Sequence, residues 1–120
     1  MSSLKANDEL TERVLKFIRL YPSPEKRATK RMIAAYLGLP YSNSHNNLVD
    51  RKIRNAVTEL RKRGEPVCSD SGRAGYYYNV AEIEHTIADL KSRASEMFET
   101  ARALESRRNR HQSVQMGLSI

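Results

Sequence analysis

The sequence predicts a mainly α, α+β fold in which three helices and a two-stranded hairpin precede one long C-terminal helix. Apolar residues recur at helical spacing in four separate segments. Between the third and fourth of these segments, two short apolar runs flank a turn-rich stretch, as in a hairpin. A chain of 120 residues with 39% hydrophobic composition suffices for one modest core.

The first helix is predicted to run from about Asn7 to Tyr21. Asn7 suits an N-cap, and the acidic residues after it suit the positive end of a helix dipole. The sequence YPSP is expected to end the helix, because a residue before proline avoids the α region. The inward-facing stripe is predicted to consist of Leu10, Val14, Phe17, Ile18 and Tyr21.

The second helix is predicted to begin at Thr29 or Lys30 and to end at Leu37. Thr29 is a suitable N-cap, and Gly38 occupies the position where a left-handed residue commonly closes a helix. Three residues are predicted to face the core: Ile33, Tyr36 and Leu37.

The third helix follows a polar connection at residues 39–47 that has no periodicity. It is predicted to be capped by Asn46 or Asn47 and ended by Gly64. Within DRKIRNAVTELRKRG, residues 50–64, the apolar positions have the i, i+3, i+4, i+7 spacing of one helix face. These positions are Ile53, Ala56, Val57 and Leu60.

The hairpin is predicted to pair residues 66–69 with residues 76–79, with Arg73 at its tip. A fourth helix is then expected from about Val80 to Glu105, with Asn79 as its N-cap. We expect three parts: a domain at residues 1–80, an amphipathic helix at 81–105 and a flexible tail at 106–120. Of the three consecutive tyrosines Tyr76, Tyr77 and Tyr78, one or two are expected to pack on the core. The alternative is a stacking platform for single-stranded nucleic acid.

Positive charge is concentrated in one third of the chain. Residues 26–63 hold ten basic side chains against two acidic ones, a net charge of +8, whereas the whole chain carries +7. A run of charge is often only a solvated face, but segregation of this kind favours a polyanionic partner.

The order of these elements, with a basic third helix, resembles the winged helix-turn-helix. AAYLGLP and DRKIRNAVTELRKRG look like its second and third helices, and EPVCSDSGRAGYYYNV looks like its wing. PVCSDSGRAGYYY is similar to the wing of small winged-helix proteins of bacteriophages and prophages. The resemblance implies a protein that binds double-stranded DNA, as a transcriptional regulator or as an accessory factor in replication or recombination. One departure is the connection at residues 39–47, where the family has a tight turn.

In such motifs the third helix lies in the major groove, and its outer side chains reach base edges. Here the residues opposite the apolar face, which are the predicted base contacts, are Arg51, Asn55, Thr58 and Lys62. The predicted phosphate contacts are Lys26, Arg27, Lys30, Arg31, Lys52, Arg54 and Arg61. The resemblance further implies that Arg73, at the wing tip, enters a minor groove; the alternative is an ordinary exposed turn residue.

Other classes of function lack a signal. The sequence has no nucleophile–base pair, glycine-rich phosphate loop or paired carboxylates, and no zinc-ligand spacing. We therefore expect a protein that is not an enzyme and uses no metal or cofactor. It has no long apolar run and no basic-then-apolar leader, and its single cysteine, Cys68, cannot form an internal disulfide. These features favour the cytoplasm of a bacterial or phage-infected cell.

The fourth helix carries an apolar seam with alternating three- and four-residue spacing, as in a coiled coil. Its predicted dimerisation residues are Ile83, Ile87, Leu90, Ala94, Met97 and Leu104. We predict a homodimer through this helix, without a preferred orientation. Two alternatives remain: the seam folds back against the first helix, or it docks a different protein on a winged-helix scaffold.

Overall fold

The computed structural model describes residues 2–42, 47–70 and 72–115, with side chains from residue 7 onward. Its elements are α1 (Ser2–Ile18), α2 (Lys30–Leu37), α3 (Leu48–Lys62), β1 (Val67–Asp70), β2 (Arg73–Tyr78), a 3-10 turn (Val80–Glu82) and α4 (Ile83–Gln115). The strands form one two-stranded antiparallel sheet, so the mainly helical α+β prediction is confirmed. None of the described helices is long and apolar enough to cross a membrane.

Helix α1 is displaced towards the N-terminus relative to the prediction. It begins at Ser2, so the predicted N-cap Asn7 is wrong: that residue lies within the helix, where its carbonyl accepts a hydrogen bond from the Thr11 hydroxyl. The preceding residues are compatible with helix and do not break it. The predicted end at Tyr21 is also wrong, because α1 stops at Ile18 and the carbonyl of Tyr21 instead accepts a hydrogen bond from Tyr78 N.

Helix α2 has the predicted bounds and caps. The Thr29 hydroxyl accepts a hydrogen bond from Met32 N, and Gly38 adopts a left-handed conformation with φ of 72°. Ile33 and Leu37 are buried as predicted. Tyr36 is not: its side chain is 40% exposed, because it stacks on the partly buried Phe17 at the edge of the core, with a ring-centroid distance of 4.8 Å.

Helix α3 is capped by Asn47, whose side-chain oxygen accepts hydrogen bonds from Val49 N and Asp50 N. The alternative cap, Asn46, lies outside the described residues. Gly64 follows the helix with φ of 89°, a conformation that glycine adopts without strain. All four predicted apolar positions are buried, namely Ile53, Ala56, Val57 and Leu60, and they form the core with residues of α1, α2 and β1.

The hairpin differs from the prediction at its turn. Strand β2 begins at Arg73, three residues earlier than predicted, and Arg73 pairs with Asp70. The Asp70 side chain accepts a hydrogen bond from Gly72 N, which closes a tight turn between the strands. Arg73 therefore does not project from the tip but begins a strand. Tyr76 and Tyr77 are buried, which confirms that two of the three tyrosines pack in the interior.

The connection between α1 and α2 adds a third segment beside the hairpin. Ala28 N donates to Tyr76 O and Tyr76 N donates to Ala28 O, both at 2.8 Å. Next to this bridge, Gly75 has φ of 106°. A Cβ built on Gly75 would lie 2.8 Å from Arg27 Cβ and 3.4 Å from Ala28 O. The close approach of the two segments therefore requires glycine at position 75.

We expect Gly75→Ala to lower the free energy of unfolding by about 2–3 kcal/mol, through backbone strain and the clash with Arg27. Urea unfolding followed by circular dichroism measures the loss. Gly72→Ala is the comparison variant, because a Cβ built on Gly72 would lie 3.6 Å from Asp70 Oδ1, an ordinary van der Waals distance. Equal stability of the two variants would contradict the requirement for glycine at position 75.

Helix α4 follows the 3-10 turn, where the Asn79 side chain accepts a hydrogen bond from Ala81 N. The predicted helix end at Glu105 is wrong, since α4 continues to Gln115. Residues 106–115 contain neither glycine nor proline and are rich in arginine and glutamine, which favour helix. The rest of the predicted tail, residues 116–120, lies outside the described residues.

The chain divides into two compact units, Met1–Thr86 and Ile87–Ile120. The first unit holds the core described above, together with the first residues of α4. There the buried Thr86 hydroxyl donates to Ser69 O and accepts from Ser69 N, both at 3.0 Å. In the second unit, every side chain from residue 91 to residue 112 is exposed.

Candidate nucleic-acid interface

The outer face of α3 presents the four side chains predicted to contact bases. Arg51, Asn55, Thr58 and Lys62 are all exposed, because burial of the apolar face turns this side of the helix outward. The Thr58 hydroxyl donates to Arg54 O within the helix and keeps its capacity to accept. The α3 cations without a hydrogen bond or ion pair to any described residue are Arg51, Lys52 and Lys62.

Asn55 and Lys52 lie near the border of this basic face. Together with residues of α1 they line a cleft of about 320 Å³. Beyond the cleft, Arg63 forms ion pairs with Asp8 and Glu12 of α1, at 3.3 and 2.9 Å. The α1 side of α3 is therefore mixed in charge. The strongly basic part of the outer face is centred on Arg51 and Lys62, with Thr58 between them in sequence.

One carboxylate organises the junction between α2 and α3. Asp50 contacts Lys30 Nζ at 3.0 Å and Arg54 Nε at 2.8 Å, and it accepts a hydrogen bond from the Tyr41 hydroxyl. Burial acts to raise the pKa of Asp50, but the hydrogen bonds and charges of Lys30 and Arg54 outweigh it and lower the pKa. Burial and the neighbouring Asp50 raise the pKa of Tyr41. Asp50 thus holds two predicted phosphate ligands in place and offsets part of their charge.

Arg27 has a structural position that its sequence context does not reveal. Its side chain is only 7% exposed and forms an ion pair of 2.8 Å with Asp70. Nε donates to Pro24 O at 2.7 Å, and the guanidinium lies 5.0 Å from the centre of the Tyr77 ring. The hydrogen bond from Arg27 lowers the pKa of Asp70. We therefore leave Arg27 out of the proposed interface, since its donors bind within the fold.

Arg61 is also engaged within the fold. Its Nε donates to Val67 O and its Nη2 to Ser69 Oγ, both at 2.9 Å. The guanidinium lies 6.0 Å from the centre of the Tyr76 ring. These contacts fasten the end of α3 to β1, and so Arg61 supports the position of the helix rather than its outer surface.

A cleft of about 620 Å³ brings together cations from separate segments. Lys30 and Arg31 at the start of α2 line one part of it, and Arg73 of the hairpin lines another. Arg73 remains exposed while its guanidinium donates to the carbonyls of Pro24 and Glu25. The predicted cation Lys26 is exposed on the adjoining connection.

Two contributors to this surface were missed at the level of sequence. Asp50 reads there as an ordinary acidic residue near the start of a helix, and Tyr41 lies in a connection without periodicity. Tyr41 lines the large cleft, and the Arg31 guanidinium lies 5.3 Å from the centre of its ring. The Asp50–Arg54 pair has the i,i+4 spacing of a helix pair and could have been read from the sequence. The contacts of Asp50 with Lys30 and of Tyr41 with Arg31 have no local signal, because they form only when α2, the connection after it and α3 have packed.

Comparisons with protein-family models, with curated proteins and with solved structures return no match to this chain. The geometry of the site therefore carries the functional argument. Among the described residues, no three His, Cys, Asp or Glu side chains are grouped as a metal site requires.

Proposed function

We propose that this protein is a non-enzymatic winged helix-turn-helix protein that binds double-stranded DNA. The observation that carries the proposal is the outer face of α3, where Arg51 and Lys62 are exposed without an ion pair to any described residue. The opposite face of the same helix is buried in the core. A rigidly anchored helix with a cationic outer face fits the major groove, which is about 12 Å wide.

In this proposal α3 reads base edges and its neighbours hold the phosphates. Arg51 is suited to bidentate hydrogen bonding with guanine, and the Thr58 side chain offers a hydroxyl and a methyl group. The phosphate ligands come from the α1–α2 connection, the start of α2 and the flank of α3: Lys26, Lys30, Arg31, Lys52 and Arg54. Arg73 of the hairpin lies against the adjacent backbone or minor groove. The process served is transcriptional regulation, or replication or recombination in a phage or prophage.

Salt dependence tests this function most directly. If about five phosphates are neutralised, log affinity falls against log salt with a slope of about −4 to −5. Gel-shift titrations on a random duplex, between about 50 and 200 mM salt, are therefore expected to show a loss of several hundred-fold. The titrations are repeated with heparin, a competing polyanion. Binding to the duplex that persists in heparin is distinguished in this way from a general attraction to polyanions. No duplex binding at about 50 mM salt would contradict the proposal.

A second candidate function is a protein–protein interaction module. It is favoured by the apolar side chains Met97, Phe98 and Leu104 on α4, which are 71, 65 and 66% exposed. In that case the first unit is a scaffold and its basic face fits an acidic protein. Absence of duplex binding in the salt titration, together with a stable fold, would favour this alternative.

A further inference from the structure

The apolar seam of α4 is exposed over much of its length. Its residues from Ile87 to Leu104 recur at three- and four-residue spacing, and Met97 and Leu104 are among the most exposed apolar side chains described. A single helix of this kind gains little stability in water, because most helical stability in proteins comes from packing an apolar face. The seam therefore calls for a partner of matching length and periodicity.

The sizes of the seam residues distinguish between the two orientations of a helix pair. One row of the seam contains Ile87, Ala94 and Ala101, and the other contains Leu90, Met97 and Leu104. A parallel pair places each row against its own copy, so two layers consist only of alanine and leave space that larger side chains would fill. An antiparallel pair places one row against the other, so every alanine meets a large side chain.

Among the registers that oppose each alanine with a large side chain, one also places the acidic residues 83–90 beside residues 101–108 of the partner subunit, which contain three arginines. It places Ala94 against Met97 of the partner subunit, Ala101 against Leu90 of the partner subunit, and Ile87 against Leu104 of the partner subunit. Each central layer then has one small and one large residue, which keeps the packing density even along the interface.

Charge along α4 favours the same orientation. Residues 83–90 contain two carboxylates, Glu84 and Asp89, and no lysine or arginine. Residues 102–110 contain four arginines against Glu105. All of these residues lie on the helix, because α4 continues to Gln115. An antiparallel pair brings the acidic part of each helix beside the basic part of the other and also opposes the helix dipoles, whereas a parallel pair brings the basic parts together.

We propose that α4 binds a second copy of this chain as an antiparallel coiled coil, in the register that pairs Ala94 with Met97 of the partner subunit. The inference goes beyond DNA binding and does not depend on it. The complementary charge along the helix supports a second copy of α4 as the partner, and the packing of alanine against large side chains sets the orientation of the pair.

Oligomeric state gives the first test. Sedimentation equilibrium of the full chain is expected to show a dimer, and Leu104→Glu is expected to weaken dimerisation at least about 100-fold by burying a charge in the interface. Ser106→Glu is the matched control, because Ser106 lies on the opposite side of α4 and its substitution adds the same charge. A monomeric wild-type chain, or equal effects of the two variants, would overturn the proposal. Circular dichroism verifies that the first unit stays folded.

Disulfide trapping tests the orientation, in a Cys68→Ala background. Two cysteines can bond only when their Cα atoms are within about 7 Å. Leu90→Cys combined with Ala101→Cys is expected to give a covalent dimer under mild oxidation, since these positions meet across the antiparallel pair. Leu104→Cys alone is expected to stay unlinked, because the two copies of residue 104 lie about 25 Å apart in this register. Leu90→Cys alone is likewise expected to stay unlinked, since the two copies of residue 90 lie about 16 Å apart in this register. Linkage of Leu104→Cys alone or of Leu90→Cys alone would establish a parallel pair instead, because each position then meets its own copy.

Gel shifts with the Leu104→Glu variant keep the two proposals separate. Its α3 face is unaltered, so salt-dependent binding to duplex DNA remains measurable whether or not the chain dimerises. A monomeric wild-type chain that binds duplex DNA would contradict only the coiled-coil proposal. A dimeric wild-type chain that does not bind duplex DNA would contradict only the proposed function.

Discussion

Arg51→Glu is expected to reduce the affinity for duplex DNA by at least about 100-fold, because it loses a contact to the base edges and places a carboxylate in the groove. Arg51→Ala is expected to cost about 1–3 kcal/mol on the preferred site and to flatten the preference between sequences. Competition gel shifts with a randomised duplex pool measure both effects.

Two matched variants give this prediction its control. Lys16→Glu makes the same kind of charge reversal at an exposed position of α1, outside the proposed interface, and is expected to change affinity little. Lys26→Ala removes a proposed phosphate contact and is expected to weaken binding to all sequences alike. If Arg51→Ala and Lys26→Ala lower the affinity equally for all DNA sequences, the proposal that α3 recognises bases would be contradicted.

Arg27→Met is expected to lower the free energy of unfolding by about 2–3 kcal/mol, because the buried guanidinium loses its ion pair with the partly exposed Asp70 and several hydrogen bonds together. The lost partners are Asp70, Pro24 O and Arg73 O. Thermal and urea unfolding followed by circular dichroism measure the change. Lys26→Met is the control, because Lys26 is next to Arg27 in the sequence but is exposed. A substitution at an exposed position usually changes the free energy of unfolding by no more than about 0.5 kcal/mol.

The same pair of variants also decides the role of Arg27 in binding. If Arg27 has a structural role, Arg27→Met strongly lowers the free energy of unfolding. Its affinity for DNA then stays near that of the wild type at a temperature where the variant is folded. An unchanged stability together with a lower DNA affinity would return Arg27 to the set of phosphate ligands that charge alone predicts.

Local signals predict α2 and α3 well. The predicted caps are found at the ends of these helices: Thr29 and Gly38 cap α2, and Asn47 caps the start of α3. The spacing of the apolar residues from Ile53 to Leu60 likewise predicts the buried face of α3. Such features depend on residues within one or two helical turns. They are therefore readable before any tertiary contact is known.

The role of each cation is not readable in this way. Arg27 and Arg51 have similar surroundings in the sequence, but Arg27 meets Asp70 and Tyr77 only after the α1–α2 connection packs against the hairpin. Net charge counts both residues equally. The same limit explains the end of α1, where the backbone of Tyr21 pairs with Tyr78 instead of continuing a helix.

The bridge between Ala28 and Tyr76 has a consequence for the order of folding. Its two hydrogen bonds join residues that are far apart in the sequence, so a long loop must close before either bond forms. Contacts of this kind slow folding, whereas the backbone hydrogen bonds within α2, α3 and the hairpin join residues that are close in the sequence. The amide protons of Ala28 and Tyr76 are therefore expected to gain protection together, after those of α3, in pulse-labelled hydrogen exchange. The docking of the hairpin would then complete the proposed DNA-binding surface as the last cooperative step.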